Sequence, residues 1–342
     1  MKILGIETSC DETSAAVVEN SKTLSNIISS QTVHKYYGGV VPEIASRIHL
    51  QLISKIVEDA LNEAKTDISE LDGIAVTYQP GLIGSLLVGT NFAKAFSLRY
   101  SKPLVPIDHI EGHIYSGFLE KSEIEFPFIT LVVSGGHTIL FLVSSFTQYQ
   151  IIGATRDDAA GEAFDKIGKI LGLDYPAGAK IDKLAKEGNP KRFAFPRGLI
   201  NSNDFDFSFS GLKTSVRYFI EKHYKNVVSI PESDLKDICA SVQEAIVDVL
   251  IYKSVKALEF YNIGTRVIAG GVSANSRLRN KIQGLSVEKG FNVVIPKIQY
   301  CMDNAAMIAL LGELKLKNTP KETFFDYAFK ANPTPIRSRK SS

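Results

Sequence analysis

Ile3-Leu4-Gly5-Ile6-Glu7-Thr8, the polar turn Ser9-Cys10-Asp11-Glu12 and Ser14-Ala15-Ala16-Val17-Val18-Glu19 stand near the start of the chain. The same layout returns at Phe128-Ile129-Thr130-Leu131-Val132-Val133, Ser134-Gly135-Gly136-His137 and Thr138-Ile139-Leu140-Phe141-Leu142-Val143. Two short β-rich runs around a tight polar turn predict a hairpin in each place. A third run follows each, at 23–29 and 149–152, and helix then alternates with strand. In the first half, Ile44, Ile48, Leu52, Ile56, Ala60 and Ala64 line one stripe of a long helix. Strand 73–78, helix 82–100 and strand 104–107 come next. The second half continues with helices over 158–171 and 234–261, strand 267–269, helix 276–288 and strand 293–295.

One α/β pattern written twice predicts two tandem lobes of the same fold facing across a central cleft. Residues 1–125 form the first lobe and 126–302 the second. A last helix over 303–320 packs back on the first lobe, and 331–342 form a flexible basic tail. The length agrees: at about 150 residues per domain, 342 residues make two. Charged residues at 22% and hydrophobic ones at 44% exclude a disordered or fibrous chain. The formal charge of +2 excludes a general polyanion-coating surface, so any nucleic-acid contact needs a local patch.

Cys10, Cys239 and Cys301, odd in number and far apart, read as reduced thiols of a cytoplasmic protein. Glu7 comes too early for a signal peptide. The uncharged stretch 73–93 nears membrane-spanning length, but Pro80 and four glycines make it a strand, a turn and a buried helix start. No membrane partner is expected.

Where a strand ends and a helix begins, His109 and His113 stand four apart and share a helical face. Two imidazoles so placed can hold one metal ion and leave positions open for a carboxylate and substrate. The alternative is one buried, hydrogen-bonded histidine and one surface histidine. Glu111 follows His109 by two places rather than one, which departs from the zinc-peptidase pattern. Asp303, at the start of the last helix, fits either an N-cap or a ligand. Three glycine-rich or polar turns, 8–13, 132–138 and 270–275, each follow a strand. Their backbone N–H groups can hold an anion, and together they favour a bound nucleotide. Asp165 lies inside its helix, away from the first turn where acids complement the dipole. Lys183, Lys186, Lys191, Arg192 and Arg197, interleaved with Phe193 and Phe195, are a candidate RNA patch together with the tail arginines.

Seven segments taken in order resemble one family. They are Gly5-Ile6-Glu7-Thr8-Ser9-Cys10-Asp11-Glu12-Thr13, His109-Ile110-Glu111-Gly112-His113, Val133-Ser134-Gly135-Gly136-His137-Thr138, Gly161-Glu162-Ala163-Phe164-Asp165-Lys166, Phe207-Ser208-Phe209-Ser210-Gly211-Leu212-Lys213-Thr214, Gly270-Gly271-Val272-Ser273-Ala274-Asn275 and Asp303-Asn304-Ala305-Ala306-Met307. Together they are similar to the tRNA N6-adenosine threonylcarbamoyltransferases, once labelled O-sialoglycoprotein endopeptidases. The resemblance implies RNase H-like lobes of the actin-like and sugar-kinase-like ATPase superfamily. It also implies transfer of a threonylcarbamoyl group from threonylcarbamoyl-AMP to the adenosine 3′ of the anticodon, in tRNAs reading codons that begin with A.

Carried over by position, it makes His109, His113 and Asp303 ligands of one divalent metal, Fe2+ favoured and Zn2+ the alternative. It assigns Val132, Val133, Ser134, Gly135, Gly136, Asp165, Gly178, Asp182 and Asn275 to the adenylate-bearing substrate. Pro176-Ala177-Gly178-Ala179 departs from the family's Pro-Gly-Gly-Pro but keeps the matched glycine. The first-turn acids Asp11 and Glu12 are candidate acceptors of the amine proton. Expected partners are tRNA and, in a bacterium, a smaller inactive paralogue and an ATPase subunit. A small-molecule kinase of the same superfamily is the alternative reading, and a metallopeptidase is a more distant one.

Overall fold

The computed structural model describes residues 1–120, 124–146, 148–224 and 226–334. The tail cations Arg337, Arg339 and Lys340 lie outside them. In chain order the first elements are β1 (Lys2–Glu7), β2 (Glu12–Glu19), β3 (Lys22–Ser30), α1 (Pro42–Glu63), β4 (Gly73–Gln79), α2 (Ile83–Tyr100), β5 (Leu104–Asp108) and α3 (His109–Tyr115). Then come β6 (Phe128–Val133), β7 (Thr138–Ser145), β8 (Gln148–Ala154), α4 (Ala160–Ile170), α5 (Gly178–Ala185), α6 (Ser210–His223) and α7 (Glu232–Tyr261). β9 (Thr265–Ala269), α8 (Ser276–Lys289), β10 (Asn292–Val294) and α9 (Ala305–Asn318) complete the set.

These elements form two compact units, one of Met1–Glu123 with Pro296–Ser342 and the other of Ile124–Ile295. The first has a sheet of order β3-β2-β1-β4-β5, the second one of order β10-β9-β6-β7-β8. Read from either central strand the topology is the same: an antiparallel three-stranded meander on one side and two parallel strands on the other. The repeat seen in the sequence is therefore a repeat of sheet topology.

In the first unit, β1 and β2 are buried almost end to end because both sheet faces are covered. Leu4, Ile6, Ala15, Val17, Ile74 and Val76 meet Ile53, Val57 and Ala60 of α1 and Ala93 of α2. The other face carries α9, which packs on β1, β2 and β4. Contact there is close enough that a Cβ on Gly5 would lie 2.3 Å from the Ala305 carbonyl oxygen. In the second unit Ile129, Leu131, Val133 and Ile268 share a core with α4 through α8. α5 and α6 are absent from the sequence-based reading. No helix among the described residues is long and apolar enough to cross a membrane.

Candidate functional site

α3 begins directly where β5 ends. The Asp108 carboxylate caps it, Oδ1 accepting from the N–H of Ile110 (2.8 Å) and of Glu111 (3.0 Å). This cap sets the first turn and stacks His109 and His113 edge to face, with ring centroids 4.8 Å apart. Across from them, Asn304 takes the capping role at α9, its Oδ1 accepting from Met307 N–H at 3.1 Å. Of the two roles open to Asp303, the cap is thus filled by its neighbour. The Asp303 Oδ1 lies 3.2 Å from His113 Nε2 and 3.4 Å from His109 Nε2. One donor atom from each of the three residues falls within 4.8 Å of the others.

The far side of His109 is also built. Its Nδ1 lies 2.9 Å from Glu7 Oε2 and 3.2 Å from Ser9 Oγ. Glu7 in turn accepts from Thr77 Oγ1–H at 2.6 Å and from Ser9 N–H at 2.5 Å. A carboxylate behind a histidine fixes the tautomer that points Nε2 forward, a common arrangement behind metal-binding imidazoles. Burial disfavours the charged forms here, but Asp303 and Glu7 outweigh it and hold the His109 pKa well above its ordinary value. By the same pairing, Asp303 is held well below the usual carboxylate range despite its burial. Burial, aided by the neighbouring His109 charge, pushes His113 down. Two imidazole nitrogens and one carboxylate oxygen make a donor set that fits Fe2+ or Zn2+.

The turn after β1 forms a wall beside these groups. The Ser9 carbonyl accepts from Leu82 N–H (2.8 Å), Cys10 from His49 Nε2 (2.9 Å), and Asp11 from Gln31 N–H (3.1 Å). Because that carbonyl can only accept, His49 carries its proton on Nε2 and Nδ1 receives the Thr13 hydroxyl at 2.8 Å. Burial and the charges of Asp303 and Asp11 push Glu12 up to about 9. The same causes, burial first, push the Cys10 thiol up, so it carries no thiolate for nucleophilic attack.

The residues expected to touch adenylate all lie in the second unit, around the ends of β6 and β9. Val132 and Val133 are buried in strand, while Gly135 and Gly136 are exposed with open space where a side chain would stand. Gly161 of α4 abuts this turn, its N–H reaching the Ser134 carbonyl at 3.2 Å. Gly270, at φ +88°, passes so near Val133 that a Cβ would meet its carbonyl oxygen at 2.5 Å. Asp165 Oδ1 accepts from Ala177 N–H at 2.7 Å and so caps α5, which Gly178 begins; burial raises its pKa. Asp182 Oδ1 accepts from Ser276 Oγ (2.8 Å) and N–H (3.2 Å) at the start of α8. Asn275 caps that helix through Oδ1 and gives one Nδ2 hydrogen to Gln243, the other having no acceptor among the described residues. Helix starts and glycine turns thus gather at strand C-termini, where open α/β sheets bind ligands.

The candidate RNA patch is different from its sequence appearance. Phe195 is buried in the core and Phe193 packs on Phe219, so neither is offered to a base. Arg197 is engaged by Asp248 at 2.8 Å and 3.0 Å. Arg192 lies 4.0 Å from Asp237 and Lys186 3.9 Å from Asp182, while Lys183 and Lys191 show no ion pair among the described residues. Residues the sequence reading passed over are Glu7, Thr77, His49 and Asn304. For Glu7 the signal was present: an acid in an otherwise apolar strand needs partners when buried.

Residues 22–310 match the family model of TsaD, tRNA N6-adenosine threonylcarbamoyltransferase. A protein of that name from Prosthecochloris aestuarii is 54% identical over 94% of this chain and 96% of its own length. Another from Thermodesulfovibrio yellowstonii is 52% identical over 95% and 98% respectively. The chain belongs to this family. The threonylcarbamoyltransferase chain also shares its fold with solved structures of low identity. Thermococcal HypF (T. kodakarensis) aligns at TM-score 0.61 and 14% identity over 95% of this chain and 49% of its own. The (R)-2-hydroxyglutaryl-CoA dehydratase component A of Acidaminococcus fermentans aligns at 0.54 and 15%, covering 91% and 96%. These likenesses place the threonylcarbamoyltransferase in the actin-like and sugar-kinase-like fold, which agrees with the duplicated pattern in its sequence.

Proposed function

We propose that this enzyme transfers the threonylcarbamoyl group of threonylcarbamoyl-AMP to N6 of the adenosine 3′ of the anticodon in tRNAs reading A-initial codons. The observation that carries this, beside family membership, is the convergence of His109, His113 and Asp303 with Glu7 behind His109. In the reaction a C–N6 bond forms, the acyl–phosphate C–O bond breaks, AMP leaves and N6 gives up a proton. Adenine's exocyclic amine is delocalised into its ring and nucleophilically weak, so an activated donor is needed. Ser134, Gly135 and Gly136 bind the adenylate part through exposed backbone, Asn275 through its remaining Nδ2 hydrogen, with Asp165, Gly178 and Asp182 completing that contact. A divalent metal held by His109, His113 and Asp303, Fe2+ by ligand type, supplies Lewis acidity and a template for the donor. Asp11 or Glu12 takes the N6 proton, Glu12 only in its ionised form, which burial disfavours.

The enzyme acts in the cytoplasm with tRNA and, in a bacterium, with a smaller inactive paralogue and an ATPase subunit. Mass spectrometry of tRNA nucleosides after incubation with donor and partner proteins tests the reading. Replacing His109 by Ala is expected to remove metal and modification together, and full activity of metal-free enzyme would refute the metal's role.

A further inference from the structure

The carboxylate that caps α3 is itself held from behind. Along β4 and β5 the register runs Thr77 with Ile107 and then Gln79 with Asp108, so Tyr78 is an extra residue in the ladder. Such a bulge re-aims the side chain after it. Here it sets Gln79, rather than Tyr78, beside Asp108. Gln79 Nε2 donates to Asp108 Oδ2 at 3.0 Å, while Asp108 Oδ1 accepts from the first-turn amides of α3. Both side chains are buried, Gln79 at 3% and Asp108 at 5% exposure. The amide orientation is unambiguous, because a carboxylate oxygen faces its NH2 and the Asn332 Nδ2 donates to its Oε1 at 3.1 Å.

Asn332 reaches that position on a strap that runs back along α2 and β4. Tyr327 Oη meets Ser97 Oγ at 2.9 Å, and the Phe329 carbonyl accepts from Lys94 Nζ at 2.7 Å. The Phe329 ring meets Tyr78 edge on, and the Asn332 N–H donates to the Tyr78 carbonyl at 2.9 Å, on the bulge itself. The strap therefore grips both the bulged residue and the side chain the bulge re-aims.

We propose that this strap, through Asn332, Gln79 and Asp108, positions the helix that presents His109 and His113. Gln79 and Asn332 are positioning residues of the metal centre, an inference that rests on the metal reading above. Without Asn332 the Gln79 oxygen is buried unpaired and its amide turns to find a donor. Asp108 then loses a partner on one oxygen, and the cap that orients the His109 turn loosens.

The test uses full-length Gln79→Leu, Asn332→Ala and the double variant, with cobalt(II) as the probe. One readout is cobalt affinity with its visible absorption; another is hydrogen exchange at the Ile110 and Glu111 amides of the metal-free protein. Gln79→Leu is expected to weaken cobalt about tenfold, at the low end for residues that support ligands. Asn332→Ala should show a smaller loss in the same direction, and the double variant no more than Gln79→Leu alone. Faster exchange at both amides should accompany these losses. Unchanged affinity and exchange in Gln79→Leu, even with a lowered melting temperature, would overturn the proposal, as would additive losses in the double variant. If the wild-type chain binds no cobalt, or His109→Ala binds it equally, the metal reading falls and takes this one with it. Wild-type binding with unmoved variants overturns the strap alone.

Discussion

Glu7 is a buried acid whose two oxygens are both occupied, one by His109 and Thr77, the other by Ser9. Glu7→Gln is nearly the same shape but loses the charge behind the imidazole. It is expected to weaken metal binding by roughly 10- to 100-fold, read from metal content after a chelator challenge. Protonation in this cluster also has a sign. Glu12 rises from 4.5 to about 9 on folding, through burial and then the charges of Asp303 and Asp11. His109 is raised as well, by Asp303 and Glu7 against its burial. Both groups bind protons more tightly in the folded chain, so their contribution to metal-free stability is lost as pH rises from about 4.5 toward 9; His113 and His49, pushed down by burial, contribute with the opposite sign below about 6.5, so the net decline is expected above that pH. Urea midpoints of metal-free protein at about pH 6.5 and pH 9 should show the decline, and Glu12→Gln should flatten it. The convergence of His109, His113 and Asp303 was partly legible: the histidine spacing put two imidazoles on one helical face, whereas Asp303-Asn304 offered two adjacent capping side chains. Only the fold shows Asn304 capping and Asp303 turned to the imidazoles.

Among elements, strands and long helices were readable because periodicity and turn residues are local. α5 was not, and the reason is physical. It starts at Gly178 with no capping side chain of its own, and its first amides are met by Asp165 from α4. A cap supplied through space leaves no mark beside the helix it caps. Close packing makes other elements intolerant. Gly5→Ala would push a methyl against the Ala305 carbonyl at 2.3 Å and the Ala309 amide at 2.7 Å, both backbone. Overpacking of this kind costs about 1–3 kcal/mol or more, expected as a lower urea midpoint at unchanged m-value. Strand β9 carries the opposite defect. Arg266 is fully buried, and its three guanidinium nitrogens have no hydrogen-bond partner among the described residues. Burial alone pushes its pKa down to about 9. Arg266→Leu should therefore raise the melting temperature at pH 7, and a drop would mean the guanidinium meets a partner in solution.

At the scale of the molecule, one unit is continuous in sequence and the other is not. Residues 124–295 contain their own sheet and core, so this fragment is expected to unfold cooperatively in urea by itself. Residues 1–120 lack α9, and the sheet face that holds Gly5 would be bare. That fragment should show no cooperative transition until a peptide covering 296–334 is added, as followed by circular dichroism. The duplication that predicts such units was plain in the sequence, since each copy repeats its own hairpin. The bounds of the interrupted unit were harder, because α9 declares itself only as an apolar helix after a polar turn.

The closure of the first unit by α9 has a consequence during synthesis. Asp303 leaves the ribosome long after Glu7, His109 and His113, and the face it borders stays open until then. A nascent chain cut short before that point lacks the Asp303 carboxylate and has a greasy sheet exposed, so quality control would meet abortive products with an open face.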